Sequence, residues 1–171
     1  VIRMIADKDL LSIQQARILA ENASEAQKKL AAFGQEKLDA IVERMAEAAL
    51  KHANELAVMS YEETDCGKWE DKCFKNRFVC TSVLEQIRPM RCVGIVARDD
   101  AKKIMDIGVP VGVIAALCPV TSPVSTTIYN TLIAVKSGNA IVFSPHPRAP
   151  KSMCKALDVM ICAALDAGLP E

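Results

Sequence analysis

Apolar side chains in the first half of the chain recur at helical spacing. Leu11, Ala16, Leu19, Ala23, Ala26 and Leu30 stand three to five residues apart and predict a helix over residues 8–33. Gly34 closes it, because glycine enters the left-handed cap at low steric cost. Leu38, Ile41, Val42, Met45, Ala49, Ala53, Leu56 and Met59 form one further stripe, which predicts a single long helix over 36–62 ended by Asp65, Cys66 and Gly67. A third helix is expected over 69–87. There Cys73, Cys80 and Ile87 fall seven apart, on one face with Val83 and Leu84. Cysteine behaves as a small hydrophobe, so this face reads as core rather than as a thiolate cluster.

The pattern changes near residue 88. Met90 to Ala97 looks extended, Arg98 to Lys102 is a polar turn, and Lys103 to Val109 looks like a returning strand, together an arm-like β-hairpin. Val111 to Leu117 is a continuous apolar run, as expected of a strand buried on both faces of a parallel sheet. Ser122 is a good helix N-cap residue and Pro123 suits the first helical position, which starts a helix ending near Lys136 and closed by Gly138. Ala140 to Phe143 predicts the next strand. The stiff loop Ser144 to Arg148 follows, then a helix opened by Pro150 and ended by Gly168 and Pro170. Two βα units in series imply a parallel sheet with right-handed crossovers. The fold class is therefore α/β, in three parts: N-terminal helices over 1–87, a hairpin arm over 88–110, and a βαβα unit over 111–171.

The length of 171 residues suits one domain, or one domain and part of another. The 21 basic and 21 acidic side chains balance, with no polybasic run, so neither nucleic acid nor an anionic membrane is expected as a partner. The longest apolar run, Val109 to Val120, is broken by Pro110, Gly112 and Pro119 and predicts no membrane span. The first residues have no signal-peptide layout and no initiator methionine, so a removed upstream portion is expected. Seven cysteines form no C-x-x-C pair, and only His52 and His146 could assist them as imidazole ligands. No metal site is expected, and reduced thiols of a cytoplasmic protein are the plain reading.

In open α/β sheets ligands bind beyond the carboxyl ends of the strands. Two segments fall there: Leu117 to Pro123, and Phe143 to Arg148. The first offers the Thr121 and Ser122 hydroxyls and the N–H groups of a helix start, which favour an anion. The second offers the Ser144 hydroxyl, the His146 imidazole and the Arg148 guanidinium, which matches phosphate bidentately. Neither G-x-G-x-x-G nor a P-loop is present. On pattern alone, ordinary capped loops remain the competing reading.

The run from Val109 to Pro123 resembles the first strand and loop of the aldehyde dehydrogenase nucleotide domain. Leu132 to Phe143 is similar to that family's helix–Gly–Asn–strand passage, and Ala167 to Glu171 to its next helix end. Phe143-Ser-Pro-His-Pro-Arg-Ala149 looks like a hallmark of the coenzyme-A-acylating branch, which includes acetaldehyde and propionaldehyde dehydrogenases. Glu62 to Lys72, with Lys75 and Asn76, also resembles that branch.

The resemblance implies a three-part subunit, with 88–110 in an oligomerisation arm that makes a dimer or tetramer. It implies attack of a cysteine thiolate on a short aliphatic aldehyde, hydride transfer to NAD, and release of the thioester to coenzyme A. The catalytic cysteine of the family matches none of the seven here, so this segment alone is expected to be inactive. Leu117, Cys118, Pro119 and Val120 match the loop lining the nicotinamide-ribose region. Thr121 matches the oxyanion asparagine of hydrolytic members, and Ser122 stands where the acylating branch usually has asparagine; both are candidate oxyanion donors. Ser144 replaces a ribose-contacting lysine and Pro147 a glutamate. With Pro145, His146 and Arg148 these complete the expected cofactor loop. Many relatives work inside bacterial microcompartments, so a shell is a further expected partner. An oxidiser releasing free acid, or a non-catalytic nucleotide-binding or assembly module, are the alternatives.

Overall fold

A computed structural model describes residues 7–169; the expected helix stop at Pro170 lies outside them. Helix α1 (Lys8–Leu30) is capped by Asp7, whose carboxylate accepts the Asp9 and Leu10 N–H groups. Helices α2 (Gln35–Lys51) and α3 (Ala53–Thr64) replace the single helix expected over 36–62. The break is at His52 (φ −96°, ψ 5°), where the Asn76 amide enters and donates to the Ala53 carbonyl at 3.1 Å. The apolar stripe survives the bend, since Ala49, Ala53 and Leu56 are all buried.

The third predicted helix is one helical run in three pieces: α4 (Trp69–Phe78), a π-helical turn (Val79–Val83) and α5 (Leu84–Ile87). The wider π turn re-phases the stripe, so that Val79, Cys80 and Leu84 all face the core. Strands β1 (Gly94–Asp99) and β2 (Ile104–Gly108) pair antiparallel, from Gly94 opposite Gly108 to Asp99 opposite Ile104. The hairpin starts at Gly94 and not at Met90. The Cys92 and Val93 N–H groups donate instead to Oε1 of Gln35 on α2, at 2.6 and 3.0 Å, and so cannot serve a strand ladder.

Strands β3 (Val113–Leu117) and β4 (Ala140–Ser144) form a separate two-stranded parallel sheet, joined by α6 (Pro123–Lys136) and followed by α7 (Pro150–Asp166). The expectation that the first of these strands is buried on both faces fails. Ala116 is buried, whereas Val113, Ala115 and Leu117 on the opposite face are exposed. The described helices cover one face of β3 and leave the other open. Ser122 does sit at the N-cap of α6, but its side chain makes no capping hydrogen bond; its carbonyl accepts the Thr126 N–H at 3.2 Å.

Helices α2, α6 and α7 share one core built on Ile41, Met45, Ile128, Leu132 and Met160, with Leu56 of α3 beside them. Helix α1 departs from its predicted packing. Leu30 is its one buried residue, Ala23 and Ala26 are half-buried, and Leu11 and Leu19 are exposed. Only its C-terminal half lies against the parallel sheet. None of the helices described is long and apolar enough to cross a membrane.

Candidate functional site: the rim of the parallel sheet

The parallel register sets Leu117 beside Ser144, and the Cys118 N–H donates to the Ser144 carbonyl at 3.2 Å. The two loops singled out in the sequence therefore leave adjacent carboxyl ends of one sheet. At this rim Leu117, Pro119, Thr121, Ser144, Pro145, Pro147 and Arg148 are exposed, while Val120, Ser122 and His146 are half-buried.

Cys118 turns the other way. It is 6% exposed, with its thiol 3.9 Å from the Thr127 hydroxyl in the interior. Burial pushes that thiol up, and the Thr127 contact offsets only part of the rise. Its backbone is at the rim and its side chain is core.

The His-Pro-Arg loop folds on itself. The His146 Nδ1 accepts the Arg148 N–H at 3.1 Å, and the His146 carbonyl accepts the Ala149 N–H at 2.8 Å. An accepting Nδ1 leaves Nε2 to carry the proton of a neutral ring. The Arg148 guanidinium reaches back, its Nη2 donating to the Thr64 carbonyl at 2.8 Å. Part of the cation expected to meet phosphate is thus committed to the protein.

Residues that carry no predicted site role hold this rim in place, all from the corner between α3 and α4. Thr64 supplies the carbonyl for Arg148. The Glu63 carboxylate accepts the Lys151 and Ser152 N–H groups at 2.7 and 2.8 Å and so caps α7, whose own N-cap Ala149 has no capping side chain. Partial burial pushes Glu63 up, but the hydrogen bonds at Ser152 and Lys151 outweigh it and the carboxyl ends below its usual range. Lys72 of α4, 7% exposed, donates from Nζ to the Thr121 carbonyl at 2.9 Å. Its ammonium is pulled down chiefly by burial. A basic residue on the buried face beside Cys73 and Asn76 is the trace that sequence offers of such a strut.

The aldehyde dehydrogenase family model matches residues 3–171. The chain belongs to the aldehyde dehydrogenase family. It is 42% identical over 147 residues to an aldehyde-alcohol dehydrogenase of Clostridium acetobutylicum, covering 86% of this chain and 17% of that protein. Its fold matches an acetylating aldehyde dehydrogenase from Geobacillus thermoglucosidasius with a TM-score of 0.93 at 46% identity, over 98% of this chain and 37% of that one. It also matches a Rhodopseudomonas palustris propionaldehyde dehydrogenase with bound CoA, at a TM-score of 0.74 and 25% identity, over 91% of this chain and 35% of that one. The chain thus spans well under half the length of these aldehyde dehydrogenases.

Proposed function

We propose that this chain forms part of the nucleotide site of an enzyme that oxidises a short aliphatic aldehyde with NAD and passes the acyl group to coenzyme A. One observation carries the reading: two proline-stiffened loops leave neighbouring carboxyl ends of a parallel strand pair, tied at 3.2 Å by Cys118 and Ser144. That crevice suits a nucleotide. The exposed Thr121 and Ser144 hydroxyls suit ribose or phosphate oxygens, and the first N–H groups of α6 favour negative charge beside them. Small Ser144 and Pro147 leave the loop without a fixed side-chain charge at either position, which suits two adenine nucleotides entering in turn.

Bound NAD would supply a hydride acceptor. This segment would bind and orient it, with Thr121 and Ser122 as donors toward a developing oxyanion. Cys118 is buried with its thiol pushed up, so it is a poor thiolate source. As the resemblance implies, the attacking thiolate would come from a cysteine outside this segment. The β1–β2 hairpin, with Ile95, Ile104 and Ile107 exposed, is the proposed contact to further subunits in a dimer or tetramer. Residence in a microcompartment would follow from the resemblance alone.

The deciding assay is made on the whole enzyme of which this chain forms part, and follows NADH formation from propionaldehyde with and without coenzyme A, with the product identified by mass spectrometry. Acyl-CoA formation dependent on coenzyme A is expected. Free acid at an unchanged rate without coenzyme A would overturn the acylating reading.

A further inference from the structure

Lys72 is a buried cation that meets a backbone carbonyl, with no salt-bridge partner among the described residues. Burying an ammonium is costly, so such a group persists where its contact has a use. Its acceptor is the Thr121 carbonyl, in the middle of the rim loop and 49 residues away in sequence. The peptide unit is planar and trans, so the Thr121 C=O and the Ser122 N–H point in opposite directions. Fixing the carbonyl toward Lys72 therefore turns the Ser122 N–H away from α4. The cationic donor also polarises that peptide and strengthens its N–H as a donor.

We infer that Lys72 is a positioning residue of the nucleotide site, which acts through the Thr121–Ser122 peptide to hold the rim loop in its binding conformation and aim the Ser122 N–H at the bound nucleotide. The inference rests on the nucleotide reading above. Lys72 itself touches no ligand in this account. The loop's own prolines, Pro119 and Pro123, stiffen its two ends, and Lys72 adds a hold on the Thr121 carbonyl between them.

The test uses the protein in its native assembly and compares Lys72→Met with Lys72→Arg. Methionine keeps the buried stem and removes both the charge and the hydrogen bond to the Thr121 carbonyl. NAD binding is measured by calorimetry, kcat and KM by NADH formation, and folding by thermal melting. For Lys72→Met the Kd and KM for NAD are expected to rise about tenfold in a protein that still melts cooperatively, and kcat is expected to fall as well, because the same peptide presents the Thr121 and Ser122 donors. Lys72→Arg, which can still donate to the Thr121 carbonyl, is expected to recover most of the affinity.

Unchanged NAD affinity in a folded Lys72→Met protein would overturn the inference. So would loss of kcat, KM and Tm together, with no rescue by arginine. If Lys72→Met does not fold, Lys72→Gln is measured in its place against the same criteria. A wild-type protein that does not bind NAD would instead sink the nucleotide reading itself, a result distinguishable from either.

Discussion

The Lys136 ammonium lies 2.7 Å from Oδ1 of Asp39, with 4% of the lysine side chain exposed. The pair joins α6 to α2, and Gln35 extends it. The Gln35 amide donates to Asp39 and to the Lys136 carbonyl, while its oxygen receives Cys92 and Val93 at the base of the hairpin. Lys136 also donates to the Arg88 carbonyl at 3.2 Å. Removing one partner of such a pair strands a desolvated charge. Asp39→Ala is expected to cost about 2 kcal/mol, below the ~3–5 of a fully buried pair, because a third of the Asp39 side chain meets solvent. Asp39→Ala combined with Lys136→Met should cost less than Asp39→Ala alone. Urea unfolding of the two variants decides; a larger loss in the double variant would contradict this account.

Arg148 spends one guanidinium nitrogen on the Thr64 carbonyl, so its main effect on binding is expected to run through loop geometry. Arg148→Ala should weaken NAD about tenfold, or ~1.4 kcal/mol. The salt dependence of binding should change little, because an exposed phosphate contact would be screened and a lost strut would not. Calorimetry at low and high ionic strength separates the two roles.

Glu63 provides the only side-chain cap described for the start of α7. Glu63→Ala should cost about 1 kcal/mol, as for loss of other helix caps. The folded carboxyl lies below its unfolded value, so its stabilisation is complete above the usual carboxylate range and lost as pH falls through the folded pKa. The acid limb of a stability–pH profile should therefore flatten in Glu63→Gln. A limb identical to wild type would remove Glu63 from the account.

The cysteines should divide by exposure. Cys154 and Cys162 are exposed on α7, while Cys80 is 3% exposed with its thiol pushed up to about 12 by burial. Reaction requires an accessible thiolate. Alkylation followed by peptide mass mapping is expected to label Cys154 and Cys162 first and to leave Cys80 and Cys118 unmodified until unfolding. Early labelling of Cys118 would reopen it as a reactive residue at the rim.

Local rules made much of the fold legible from the residues. Pro123 and Pro150 open α6 and α7 as expected, because a missing N–H costs nothing in a first turn. Gly138, at φ +71°, follows α6 where a left-handed residue is needed. The alternation of strands and helices after Val111 dictated the parallel pair, and with it the shared rim of the loops beginning at Cys118 and Pro145. Only the tertiary structure decided what contacts across sequence distance control. Asn76 marks the bend at His52, Gln35 delays the hairpin to Gly94, and Lys72, Thr64 and Glu63 hold the rim from a corner far away along the chain. Periodicity records which way a side chain faces, whereas a hydrogen bond between distant residues depends on where the packed helices bring their ends, and no local pattern encodes that distance.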